Sequence, residues 1–262
     1  MGTRLVSRTL LAICCLVVST GGGEQARAAD EQRSNILLIV ADDLGYADLG
    51  VHGSDIRTPN IDALAAEGLL CTRFHTAPMC APTRAMMLSG NNNHVAGMGR
   101  QHPYDPLREE MPGYEGHLSD RVAPFPVLLQ EAGYHTYMVG KWHLGLAPEN
   151  DPSVNGFERS FSLIDGAANH FDAVGFFAGG STYRADGQPA AMPEGGYSTE
   201  VHTDRLIDFI EEGTTAGAPF FAYAAYTSPH WPLQVPDEYL DLCRGRYDEG
   251  YDVLRETNFA TL

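Results

Sequence analysis

Three apolar segments each run directly into a cluster of polar residues, and this arrangement constrains the fold more than any other feature of the chain. Residues 35–41 (NILLIVA) are continuously apolar and end at Asp42 and Asp43. Residues 134–139 (YHTYMV) lead into Gly140, Lys141, Trp142 and His143, and residues 219–226 (PFFAYAAY) lead into Ser228, Pro229 and His230. An apolar run without alternation suits a strand buried on both faces, as in a parallel sheet. Such sheets bind ligands beyond the carboxyl ends of their strands. The sequence therefore predicts two carboxylates, one lysine and two histidines at a single sheet edge.

Helical patterns alternate with these strands. Thr58-Pro59 reads as an N-cap followed by proline at the first helical position, with Gly68 just past the end. Residues 82–89 read as a short helix closed near Gly90, residues 125–132 as a helix ending at Gly133, and residues 200–212 as an amphipathic helix. Residues 69–75 are expected to form a second strand, residues 91–123 and 145–197 to be loop, and Asp237-Glu238 to be a solvated helix start. Strand–helix alternation predicts an α/β three-layer sandwich with a mainly parallel central sheet flanked by helices.

Charge and composition narrow the partners. The 262 residues carry a formal net charge of −17, so nucleic acid and anionic membrane surfaces are excluded as partners. Of 17 basic residues 16 are arginine, and the single lysine is Lys141, at a strand end. Residues 1–28 read as a signal peptide: Arg4 and Arg8, a short apolar run at 10–18, and an Ala26-Arg27-Ala28 cleavage site. The expected product, residues 29–262, is exported to the periplasm or secreted, without a stable membrane anchor. Beyond the signal, Cys71, Cys80 and Cys243 remain, and an odd number cannot all pair within the chain.

Two local patterns carry chemistry. Asp42 and Asp43, where the backbone turns toward Gly45, can reach one cation, and two adjacent carboxylates favour neutralisation by calcium or magnesium. A solvated turn is the plainer alternative. Cys80 stands at the N-terminus of the short helix read at 82–89, where unpaired N–H groups and the dipole favour a thiolate. Arg84, four residues on, lies on the same helical face and can stabilise an anion at position 80. A buried structural cysteine fits the spacing equally well.

Cys80-Ala-Pro-Thr-Arg84-Ala-Met-Met-Leu-Ser-Gly90 resembles the first signature of the sulfatase family, in which the cysteine is oxidised to formylglycine. Residues 133–145, with Lys141 and His143, resemble the second. Residues 35–45, Thr58-Pro-Asn-Ile-Asp62 and Ser228-Pro-His230 look like further family segments in the expected order, and the resemblance spans about residues 34–240. Gly113-Tyr-Glu-Gly116 and Arg244-Gly-Arg-Tyr247 look closest to arylsulfatases.

The resemblance implies an alkaline phosphatase-like fold and hydrolysis of an aryl or carbohydrate sulfate monoester. It implies Cys80, matured by a formylglycine-generating enzyme, as nucleophile precursor, and Ca2+ held by Asp42, Asp43 and the modified residue 80. Arg84 and Lys141 would hold formylglycine and sulfate oxygens. His143 would be the base of the second half-reaction, and His230 would contact the sulfate and the leaving oxygen. A hydroxyl of the hydrated aldehyde would attack sulfur, and loss of a proton from the other would expel sulfate, which a plain serine ester could not do. His52, His75, His94, His102, His117, His135, His170 and His202 receive no role, and Phe220, Phe221, Tyr223 and Tyr226 are expected to be core.

The chain departs from the family in lacking an Asp-Asn dipeptide and a second lysine, both of which the family uses. These departures imply the N-terminal portion of a longer catalytic domain, with weak metal binding, little turnover and an exposed apolar sheet edge. The alternatives are a phosphonate monoester hydrolase or phosphodiesterase of the same superfamily, or an inactive fragment.

Overall fold

The computed structural model describes residues 33–101, 108, 111–175, 180–214 and 217–261. The signal peptide read at 1–28 and His102 lie outside the described residues. Six strands form one sheet in the order β1-β6-β2-β3-β4-β5: β1 (Ile36–Asp42), β2 (His135–Lys141), β3 (Arg159–Leu163), β4 (Tyr183–Ala185), β5 (Gln188–Ala190) and β6 (Phe220–Pro229). Strands β1, β6, β2 and β3 are parallel, and β4 and β5 are antiparallel additions at the far side. The expected mainly parallel sheet is therefore present.

The helices are α1 (Pro59–Glu67), α2 (Cys80–Ser89), α3 (Phe125–Glu131), α4 (Ser198–Thr214), α5 (Asp237–Asp241) and α6 (Tyr251–Thr261). Two separate cores flank the sheet, because side chains of a buried strand alternate between its faces. On one face Met138, Phe221, Tyr223 and Ala225 pack with Ala81, Ala85 and Leu88 of α2 and with Trp142 and Phe157. On the other, Tyr137, Val139, Ala222 and Ala224 pack with Leu206 and Phe209 of α4. Among the described residues no helix is long and apolar enough to cross a membrane.

Two expectations are corrected. Residues 69–75 are not a strand: no described strand pairs with them, and Leu69 and Phe74 are largely exposed. A short apolar segment without a neighbour to share its hydrogen bonds gains nothing from extended geometry. Residues 145–197 are not simply loop, for they contain β3, β4 and β5. The β4–β5 hairpin turns on Asp186-Gly187, both in left-handed conformation (φ 49° and 79°). Asp-Gly is a strong hairpin signal, and it stood in the sequence unused.

Candidate active site

The parallel register sets the site. Asp42 at the end of β1 pairs with Pro229 at the end of β6, and Lys141 ends β2 beside them. A register shift between Val40 and Asp42 and a left-handed Asp43 (φ 59°) turn the two carboxylates out of the strand. Gly140 (φ 91°) brings β2 hard against β6: a Cβ there would lie 2.1 Å from the Ala225 carbonyl oxygen. Trp142 then buries fully, its Nε1–H donating to the Asn150 carbonyl at 2.8 Å. That anchor fixes its neighbours Lys141 and His143. His143 is left-handed (φ 57°), and its ring packs against Gly166, where a Cβ would meet it at 2.6 Å.

Cys80 is the first residue of α2, after an extended Met79. Pro82 sits in the first turn, where its missing N–H costs no helical hydrogen bond. One turn on, Arg84 is buried, and its guanidinium donates from Nη1 to the Lys141 carbonyl (2.5 Å) and the Tyr223 hydroxyl (3.3 Å). From Nη2 it reaches Asp42 Oδ2 at 3.3 Å. The Lys141 ammonium donates to the same Asp42 oxygen. Lys141, fully buried, thus shares one carboxylate with Arg84, leaving one positive charge in excess in this buried triad. Burial pushes the Tyr223 hydroxyl above its usual pKa, so it stays a neutral phenol beside Arg84.

The Cys80 thiol donates to Gln101 Oε1 at 3.2 Å and lies 3.4 Å from His143 Nδ1. His230 Nε2 lies 3.5 Å from Asp43 Oδ2, and its Nδ1 is 2.6 Å from the Trp231 carbonyl. Asp42, Asp43, Cys80 and Arg84 line one cleft of about 860 Å³, with Leu38, Val40, Phe74 and Met87 as its apolar wall. His143 faces a smaller cavity of about 170 Å³ bounded by Glu115 and His117. The seven residues singled out in the sequence thus form three contacting groups: Asp42–Arg84–Lys141, Cys80–His143 and Asp43–His230.

Gln101 and Tyr223 were missed. Gln101 belongs to no motif, and Tyr223 read as core, which it is, although its hydroxyl also touches Arg84.

Among the described residues no three His, Cys, Asp or Glu side chains gather so as to hold a metal ion. Asp42 and Asp43 suit a hard cation by donor type. They fall short in number, since two carboxylates bring no more than about four oxygens where calcium takes roughly six to eight.

Comparison with known proteins places the chain in a family. Residues 34–259 match the family model described as Sulfatase. The chain is 47% identical over 235 residues to an uncharacterized sulfatase of Schizosaccharomyces pombe, covering 85% of this chain and 42% of that protein. It is 39% identical over 232 residues to an arylsulfatase of Klebsiella aerogenes, covering 87% of this chain and 50% of that one. The chain therefore spans half or less of these two curated relatives. A structure solved in complex with its substrate D-glucosamine-2-N,6-O-disulfate superposes with a TM-score of 0.63 at 27% identity, over 82% of this chain and 38% of that one.

Proposed function

The chain belongs to the sulfatase family, and from that premise we propose that it serves as a sulfuric ester hydrolase acting on an aryl or carbohydrate sulfate monoester. The observation that carries the reading is the meeting of Cys80 and His143 at 3.4 Å beside a buried Arg84–Asp42–Lys141 triad. The aryl reading draws on the arylsulfatase likeness, and the carbohydrate reading on the ligand of the glucosamine-disulfate complex. Residues 1–28 support an exported protein, periplasmic or secreted, which would meet its maturing enzyme on the way.

Each side chain has a task that its position allows. Arg84 and Lys141 present positive charge to the non-bridging sulfuryl oxygens, in a site where little water competes. Their rigid placement matters, because neither needs to reorganise as charge develops. His143 Nδ1 stands within reach of the group at position 80 and can take its proton. His230, steadied by Asp43, reaches toward the departing ester oxygen. Gln101, whose Oε1 accepts from the thiol, helps to orient the nucleophile. Oxidation of Cys80 to formylglycine would supply a hydrated aldehyde as the nucleophile. Ca2+ held in part by Asp42 and Asp43 would supply further charge neutralisation.

Peptide mass spectrometry on the protein made in its own host tests the reading, together with turnover on aryl sulfate and aryl phosphonate esters. An aldehyde mass at position 80 and preference for the sulfate are expected. An active protein with an intact thiol, or one preferring the phosphonate, overturns it.

A further inference from the structure

The turn that carries His230 is tied down from behind at three points. Ser228 Oγ lies 2.9 Å from Thr199 Oγ1. Gln234 accepts at its Oε1 from the His170 backbone N–H (2.8 Å) and at its carbonyl from the Tyr197 hydroxyl (3.4 Å). Between them the His230 carbonyl oxygen faces His170 Nε2 at 3.5 Å. His170 is buried, and its other nitrogen, Nδ1, is 2.6 Å from Ser198 Oγ at the start of α4. Its carbonyl accepts from the Ser198 N–H at 2.8 Å.

These contacts fix a tautomer. A carbonyl oxygen can only accept, so Nε2 carries the proton. Burial pushes the His170 pKa below the usual value, which keeps the ring neutral. Nδ1 is then bare and accepts from the Ser198 hydroxyl. A buried imidazole is costly compared with a hydrocarbon of similar size, and is suited to a place needing an acceptor on one side and a donor on the other.

We infer that His170 is a positioning residue: by holding the His230 carbonyl it sets where the His230 imidazole stands relative to Asp43 and the ester. The inference rests on the sulfatase reading above and deepens it.

The test compares His170→Leu and His170→Gln in the full chain made in its own host. Leucine keeps the bulk without polar atoms, and glutamine restores a donor near the Nε2 position. For His170→Leu, kcat/KM should fall by roughly 10- to 100-fold on an alkyl sulfate with a poor leaving group. It should fall less on an activated aryl sulfate, because His230 serves the leaving oxygen. His170→Gln should recover most of the loss. Equal losses on both esters, or no rescue by glutamine, would overturn the inference. Absence of turnover in the wild type would instead count against the functional reading. In that case nitrogen NMR of the histidines decides: a protonated Nε2 at His170, and His230 resonances displaced by leucine but not by glutamine, are expected. A protonated Nδ1 at His170 overturns the inference whatever the activity.

Discussion

At the scale of single residues, the Asp42 carboxylate is outnumbered. Lys141 and Arg84 both lean on it inside the protein, so the consequences of deleting each partner are unequal. Asp42→Ala strands two buried cations and should cost roughly 3–5 kcal/mol. Lys141→Met leaves the Arg84–Asp42 pair intact and fills a similar volume, so it should cost much less while abolishing turnover. Urea unfolding of the two variants checks the asymmetry, and equal losses would contradict it. His202 supplies a second residue-level outcome. It is wholly buried, its Nε2 3.4 Å from the Tyr183 hydroxyl and its Nδ1 without a partner, and burial pushes its pKa down to about 3. The unfolded chain binds that proton near pH 6.5. The contribution is therefore complete above about pH 6.5 and is lost as pH falls from there toward 3, by up to roughly 1.4 kcal/mol per pH unit. His202→Phe should flatten the acid limb of a stability–pH curve.

At the scale of elements, what was legible followed from continuous apolar runs closed by glycine or charge. Strands β1, β2 and β6 are each the meeting of such a run with a polar end, so their direction and the cluster at their tips could be read from residues 35–43, 134–143 and 219–230. Strands β3, β4 and β5 were not, because segments of three to five residues carry little periodic signal. The pairing of β3 with β2 is decided by neighbours distant in sequence, such as Arg159 beside Tyr137, whereas β4 and β5 pair locally across the Asp186-Gly187 turn. Gln101 was illegible for a similar reason: its contact with Cys80 belongs to the folded chain alone. The left-handed Gly140 was visible as a residue but not as a constraint. Gly140→Ala must place a methyl against the Ala225 carbonyl in a backbone region that L-residues avoid. It should destabilise by roughly 2–4 kcal/mol. It should also lower activity, because Lys141 is the next residue. Denaturation and steady-state assays report the two effects separately.

At the scale of the whole molecule, the sheet is finished unevenly. On the far side it ends in the short β4–β5 hairpin, whereas β1 forms the other edge and has no described strand beyond it. Leu37 and Ile39 on that strand are more than half exposed, an invitation to intermolecular pairing. Leu37→Thr with Ile39→Lys should reduce self-association of this 262-residue chain in light scattering. Both side chains are exposed, so the unfolding midpoint should move by no more than about 0.5 kcal/mol per site. Unchanged scattering would place the sticky surface elsewhere.

The cationic excess of Lys141 and Arg84 over Asp42 sits inside a chain whose total charge is −17, so the two fields oppose each other. An anionic ester drifting inward is repelled by the acidic exterior until the last few ångströms. Salt shortens the reach of that exterior, from about 30 Å at 0.01 M to about 10 Å at 0.1 M, and hardly touches charges in contact. Capture of such an ester should therefore quicken with ionic strength, the reverse of electrostatic steering, while its dwell time once seated stays nearly constant. Stopped-flow association measured across a salt series would expose this inversion.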